Sequence, residues 1–413
     1  MKHYKKLLAT VAFGLTLAAP TLALAEDKHE IYTLLPQTSL VGLIDPNMES
    51  RADIAKALPE APGQYGDKLS IGWTEITLGN PWFVGLIDDA KKTAEKYGYE
   101  LDVQVADGDP AKTSSHVDTF IARGVDVIVI DPTDLASAAA DAERAVEAGI
   151  PVIAIGTVPD ESPIVTTVTW NPYINGFLAG RYMATQYSAD EHVNAATLIG
   201  RVGNSTSESR VNGMVSGFVY ERGLQMGKDW SEEDGMLAGF NAFQEVNTGG
   251  SFSSDELKFS ILAQGVAHWT EEGGLNAAED ILTAHGDNLN LFMAGNDFMG
   301  IGALNALDNQ GLAGKIDVAA SADGFRVALD LVKSGDLMAT GLFSGTHVGE
   351  ATIELIHQIF DDGFDASNMP MGSFLPPETV TPDNVDKFID ADKNNPFYVY
   401  EIPPFKTIDD LRG

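Results

Sequence analysis

Acidic and amide side chains recur in this chain where a predicted strand gives way to a helix, and such groups at such points can grip hydroxyls. Asp131 closes the run VDVIVI (125–130), Asn296 and Asp297 close LNLFMAGND (289–297), and Asp323 closes IDVAASAD (316–323). Arg210 stands early in the helix expected after a strand over 195–201. Carboxylates accept, and amides both donate and accept, in the in-plane geometry that vicinal hydroxyls offer. Trp82 adds an aromatic face able to cover the C–H side of a sugar ring. A plainer role competes at three positions: Asn80, Asp131 and Asp323 all precede predicted helices, where a short polar side chain caps the first free N–H groups.

Signatures of catalysis are missing from the sequence. It contains no G-x-S-x-G elbow, no G-x-x-x-x-G-K-[ST] loop and no H-E-x-x-H, the patterns that would mark a serine nucleophile, a phosphate cradle or a zinc protease. Gly300-Ile301-Gly302 lies inside a helical pattern and lacks the third glycine of a dinucleotide fingerprint. The 8 histidines include no i,i+4 pair, and no loop has the carboxylate spacing of a calcium hand, so neither a metal nor any other cofactor is expected. With 60 acids in the chain, pairs of carboxylates arise by chance and are weak evidence for a glycosidase. The balance of 26 basic to 60 acidic residues, a net charge of -34, argues against nucleic acid and anionic membranes as partners.

These side chains need a scaffold that brings strand ends together, and the periodicity supplies one. The stretch KLSIGWTEITLGNPWF (68–83) is a β-prone run, a turn, then an asparagine cap followed by proline at the first helical position. Phe83, Ile87, Ala90, Ala94 and Tyr97 define the packed face of the helix, which leaves Trp82 off that face at the carboxyl edge of the sheet. The pattern predicts strand 69–76, helix 82–97, strand 101–105, helix 110–123, strand 125–130, helix 134–148 and strand 151–155. After the extended run 164–171 a second set is predicted, with helices 173–187, 206–223, 270–285, 298–310, 324–334 and 346–361 and strands 195–201, 289–294, 316–320 and 337–343. This is an α/β chain with two doubly wound parallel sheets and a cleft between them.

The remaining segments set the domain plan. Residues 1–25 have a basic start, an apolar middle and Ala23-Leu24-Ala25, and read as a cleavable secretory signal. With no cysteine in the chain, neither a lipid anchor at the export site nor a disulfide is available. The predicted layout is an extension over 26–67 with a short helix near 51–58, lobe one over 68–169 and 344–365, and lobe two over 170–343. Lobe two carries a poorly patterned insertion at 228–266, and 366–413 is a proline-rich, irregular tail.

In TLGNPWF (77–83), DPTD (131–134), GLNAAEDILTAH (274–285), AGNDFMGIGAL (294–304) and ADGF (322–325), the sequence resembles the periplasmic sugar-binding proteins of the ribose-binding type. The resemblance implies the type I fold, two lobes joined by a hinge. It also implies that Asn80, Trp82, Phe83, Asp131, Arg210, Asn296 and Asp323 hold a sugar. The family's Asp-Arg pair after the fourth strand falls on Gly156 and Thr157, and its glutamine near the last crossing falls on Phe343. Glu75, Trp73 and Trp170 are candidates to replace those contacts, with Trp73 the better core residue.

The implied role is that of a monomeric, soluble periplasmic receptor without a membrane anchor. By hinge closure it would capture a small neutral sugar or polyol and deliver it to an inner-membrane ABC permease. Two rivals carry different expectations: a sensory receptor for a sugar-like signal such as a furanosyl autoinducer, and a periplasmic carbohydrate-active enzyme. A sugar-responsive transcription regulator would share the fold, but the leader and the negative charge argue against it. The crowding of Glu75, Asp131, Asp297 and Asp323 opposite one arginine leaves a cationic ligand open and disfavours anionic sugars.

Overall fold

The computed structural model describes residues 50–53, 57–159, 162–390 and 396–412. The expected leader, most of the expected extension and part of the helix expected near 51–58 lie outside these residues. Where the extension is described, Arg51 is buried and its guanidinium donates to the carbonyls of Ser162, Ile164, Val165 and Met369.

The first sheet has the order β2-β1-β3-β4-β5-β12, all parallel. It is formed by β1 (Ser70–Glu75), β2 (Glu100–Val105), β3 (Val127–Ile130), β4 (Val152–Ile155), β5 (Thr167–Trp170) and a late strand, β12 (Gly372–Leu375). Every residue of VIVI in β3 and VIAI in β4 is buried, as strands covered by helices on both faces must be. Both predicted cap-then-proline starts are present. In α1 (Pro81–Tyr97) Asn80 accepts from the Trp82 N–H at 2.8 Å, and in α2 (Pro110–Arg123) Asp109 accepts from the Ala111 N–H at 2.9 Å. The next helix, α3 (Leu135–Glu147), is capped by Asp134.

The second sheet has the order β10-β9-β6-β8-β7. Its strands are β6 (Val193–Ile199), β7 (Phe252–Ser254), β8 (Phe259–Val266), β9 (Leu291–Ala294) and β10 (Asp317–Ala320), parallel except for β7. Around it lie α4 (Pro172–Thr185), α5 (Ser205–Gln225), α6 (Glu232–Gly249), α7 (Glu271–His285), α8 (Asp297–Asn309) and α9 (Arg326–Ser334). Helices α4 and α5 touch backbone to backbone: a Cβ on Gly176 would stand 2.1 Å from the Arg210 carbonyl oxygen, and one on Gly180 2.0 Å from that of Met214. This close approach sets the position of the helix that carries Arg210.

Two expectations are corrected here. The stretch 228–266 is no unpatterned interruption, since it folds into α6, β7 and β8, and β8 pairs with the central strand β6. Gly235 and Gly239, which weaken a helical reading, are where α6 lies directly against Tyr220 and Ser216 of α5. Likewise, the tail is not merely irregular surface chain. It supplies β12, which covers the otherwise open edge of β5, and β13 (Thr379–Val380), which pairs antiparallel with β11 (Thr340–Gly341). Tail residues Phe397 and Tyr398 are buried, and the Tyr398 hydroxyl accepts from the Ser344 N–H at 3.0 Å.

The chain therefore passes between the sheets three times, after β5, after β11 and between β12 and β13. The second passage leads into α10 (Gly345–Phe360), which packs on α1, and a short helix, α11 (Ile408–Arg412), ends the described chain.

Candidate functional site

The carboxyl ends of both sheets face the region where the lobes meet, and each contributes a buried polar cluster. In lobe one Glu75 ends β1 and Asp131 follows β3; they are 0% and 4% exposed. Glu75 accepts from the Ile76 N–H at 3.0 Å and from the Trp73 indole N–H at 3.2 Å. Trp73 itself is fully buried in the core, as its strand position suggested.

The two carboxyls also hydrogen-bond each other. Burial pushes Glu75 up to about 7, against the hydrogen bonds from Asp131, Trp73 and Ile76, and burial together with the Glu75 charge holds Asp131 well above the ordinary carboxylate range. Two buried carboxyls in contact cannot both ionise cheaply, so near neutrality the pair shares a proton. Beside them, Gly156 has φ +70, and a Cβ there would stand 3.1 Å from Asp131 Oδ1. The next residue, Thr157, reaches lobe two, its hydroxyl 3.4 Å from that of Thr206 on α5.

A raised carboxyl pKa makes a folding prediction with a definite sign. The folded protein holds a proton that the unfolded chain has lost, so the contribution of Glu75 is fully present below its unfolded value of about 4.5 and is lost as pH rises through about 7. Unfolding by urea at pH 5, 6 and 7.5 is expected to show the unliganded protein weakening by up to roughly 3 kcal/mol from this group. Glu75→Gln is expected to reduce that slope, and an unchanged slope in the variant would assign the pH dependence to the other raised acids, Asp131 and Asp323 among them.

Lobe two gathers Arg210, Trp269, Asn296 and Asp323. The Arg210 guanidinium, 2% exposed as a residue, donates to the Gly295 carbonyl at 2.9 Å and stands 3.8 Å from Asp323. Its faces are covered by Phe343 at 4.1 Å and Trp269 at 5.3 Å. Asn296 caps α8 through Met299 and donates from its amide to Asp323 at 3.0 Å and to the Trp269 carbonyl at 3.3 Å. Burial raises Asp323 to about 6 although Arg210 and Asn296 pull it down. Asp323 also adopts φ +97, a conformation that costs a non-glycine residue energy and persists only where surroundings enforce it. Asp297 points inward, accepting from the Phe325 N–H at 2.7 Å and from the Thr340 hydroxyl, and so braces the turn that presents Asp323.

The capping alternatives divide cleanly. Asn80 and Asn296 are caps, whereas Asp131 is not, because Asp134 caps α3. Nor is Asp323, because the cap position of α9 is Phe325, which makes no side-chain cap.

Between the clusters lies an aromatic seam. The half-buried Trp82 donates its indole N–H to the Phe343 carbonyl at 2.7 Å and meets the edge of Phe83 at 5.1 Å. Phe343 is buried, with Trp82 and Trp170 at 6.3 Å and 6.4 Å. Trp170 corrects an expectation: it is 0% exposed, donates to the Ser344 carbonyl at 2.9 Å and packs against His347, Tyr398 and Tyr400. It belongs to the hinge core because the tail covers it, which no local pattern announced. Trp269 was missed for the related reason that it follows β8 in the stretch read as unpatterned. Its signal was the one used for Trp82, an aromatic between a strand and a capped helix start, here Thr270.

Residues 71–363 match the family model described as periplasmic binding protein domain. The chain is 30% identical over 293 residues to the ribose import binding protein of Salmonella typhimurium, covering 71% of this chain and 85% of that one. It is 25% identical to a xylitol-binding protein of Mycolicibacterium smegmatis, covering 74% and 76%. Among solved structures, an ABC transporter periplasmic solute-binding protein from Actinobacillus succinogenes with bound D-allose superposes with a TM-score of 0.60 at 26% identity, covering 78% of this chain and 100% of that one. With its two doubly wound lobes and hinge, this chain belongs to the periplasmic binding protein family, among the solute-binding proteins of the ribose-binding type.

Proposed function

We propose that the protein is the periplasmic substrate-binding component of an ABC transporter, capturing a small sugar or polyol between its lobes and delivering it to a membrane permease. The observation that carries this reading is the buried Arg210–Asp323–Asn296 cluster at the carboxyl edge of one sheet, set across the hinge from Glu75 and Asp131 at the edge of the other. Its groups suit binding and orienting hydroxyls, which fits capture without chemistry, and both clusters come from one chain, which fits a monomer. A ligand that touches both clusters does so fully only when the lobes close on it, which couples binding to closure. The names of the relatives, which include ribose, xylitol and allose binders, support the ligand class. The leader-like segment 1–25 supports export.

Thermal unfolding of the mature protein against aldoses, polyols, furanoses and their amino derivatives tests the reading. A ligand of the folded state raises the midpoint by several degrees. Recovery of that ligand unchanged after incubation is expected of a receptor, and a product in its place would mark an enzyme. A flat response across the whole panel would sink the sugar reading.

A further inference from the structure

The two walls of the cleft differ in charge compensation. In lobe two the acids have a cation, since Arg210 acts on both Asp323 and Asp297. In lobe one no lysine or arginine of the described residues is among the charges acting on Glu75 or Asp131. Resting on the receptor reading, we propose that the Glu75–Asp131 pair docks a protonated amine, so that the substrate is an amino sugar or amino polyol in preference to its neutral counterpart.

Three features point to a ligand rather than to a structural pair. Asp131 Oδ2 is buried and receives no hydrogen bond from an N–H group or alcohol of the described residues, so once the proton it shares with Glu75 leaves, only a group from outside the fold can compensate its charge. Gly156, directly facing Asp131 Oδ1, keeps the approach free of a side chain at the turn whose Thr157 touches lobe two. Arg210 cannot cross to serve as counter-ion, because Phe343 and Trp269 cover its faces and Gly295 and Asp323 hold its edge.

An ammonium is the complementary group. It has three donors and no acceptor, where a hydroxyl brings a donor without the charge. Glu75 already accepts from the Trp73 indole N–H and the Ile76 N–H, so Asp131 Oδ2 is the acceptor left to the ligand. The proton balance follows. The ligand arrives as R–NH3+, the proton shared by the two carboxyls leaves to solvent, and two carboxylates then hold one ammonium. The overall charge of -34 draws cations toward the molecule during encounter.

Titration calorimetry at pH 7 with matched pairs tests this: glucosamine against glucose, 1-amino-1-deoxysorbitol against sorbitol, and an amino-deoxyinositol against myo-inositol. In one pair the amine is expected to bind at least tenfold more tightly, releasing close to one proton when heats in two buffers of different ionisation enthalpy are compared. Asp131→Asn is expected to bring the affinity ratio within threefold, with Glu75→Gln as a second variant and unliganded melts of both confirming folded protein. A neutral member that binds as tightly as its amine or more so overturns the inference while leaving the receptor reading in place. Binding of neither member in any pair also overturns the inference, whereas the receptor reading falls only with a flat response across the whole unfolding panel.

Discussion

Asp323→Ala is expected to lower affinity for the compound selected by the unfolding panel by a hundredfold or more, while the unliganded protein stays folded and loses about 2–3 kcal/mol of stability. The first effect is large because Asp323 is the partner of two buried groups. Without it the Asn296 amide, 3.0 Å away, loses its acceptor, and the Arg210 guanidinium loses the nearer of its two acids. A ligand hydroxyl that bridges the same groups loses a charge-assisted bond at the same time. The folding effect is limited because Asp323 does not cap α9 and Asp297 independently holds the turn. The cost that remains comes from placing alanine at φ +97 and from leaving Asn296 and Arg210 without this partner. Asp323→Asn, which tolerates that conformation better, separates charge from backbone and is expected to lose most of the affinity with less change in stability. Calorimetric titration of the three proteins checks this, and affinity retained within threefold in both variants would reduce Asp323 to a turn residue.

Gly176→Ala is expected to destabilise the protein by about 3 kcal/mol, the upper range for forcing atoms into a packed core, and to weaken binding at least tenfold. The added Cβ would meet the Arg210 carbonyl oxygen at 2.1 Å, and neither partner can yield, since both are helical backbone. Helix α5 must therefore shift, and it carries Arg210 with it. Gly249→Ala is the matched control: it lies at the end of α6 with nothing within 4 Å of the new Cβ, and its stability is expected to hold or rise slightly. Chemical unfolding and titration of both variants check the pair. Equal stability of Gly176→Ala and the parent would mean that the α4–α5 contact is looser than this packing.

Much of the scaffold was legible because its signals are local. The cap-then-proline starts at Asn80-Pro81 and Asp109-Pro110, the continuous apolar strands 127–130 and 152–155, and the helices that follow them each depend on a few neighbouring residues. The same holds for the placement of Asn80, Asp131, Asn296 and Asp323 at strand ends. The stretch 228–266 was illegible because α6 packs through Gly235 and Gly239, so its face is completed by Tyr220 and Ser216 from another helix. Trp170 looked like a free aromatic because the residues that bury it, Tyr398 and Tyr400, lie more than two hundred positions further on.

Residue types and their periods alone decided the α/β class, the two parallel sheets and the set of polar groups at the sheet edges, since backbone preferences and strand alternation act over a few residues. Which of those groups face a ligand was a matter of distant contacts. Asp297 turned inward to Phe325 and Thr340, Glu75 found Asp131, and Arg210 was clamped between Phe343 and Trp269. Burial and pairing depend on chain segments far apart in sequence, and it is burial and pairing that set the charge, the direction and the availability of each group.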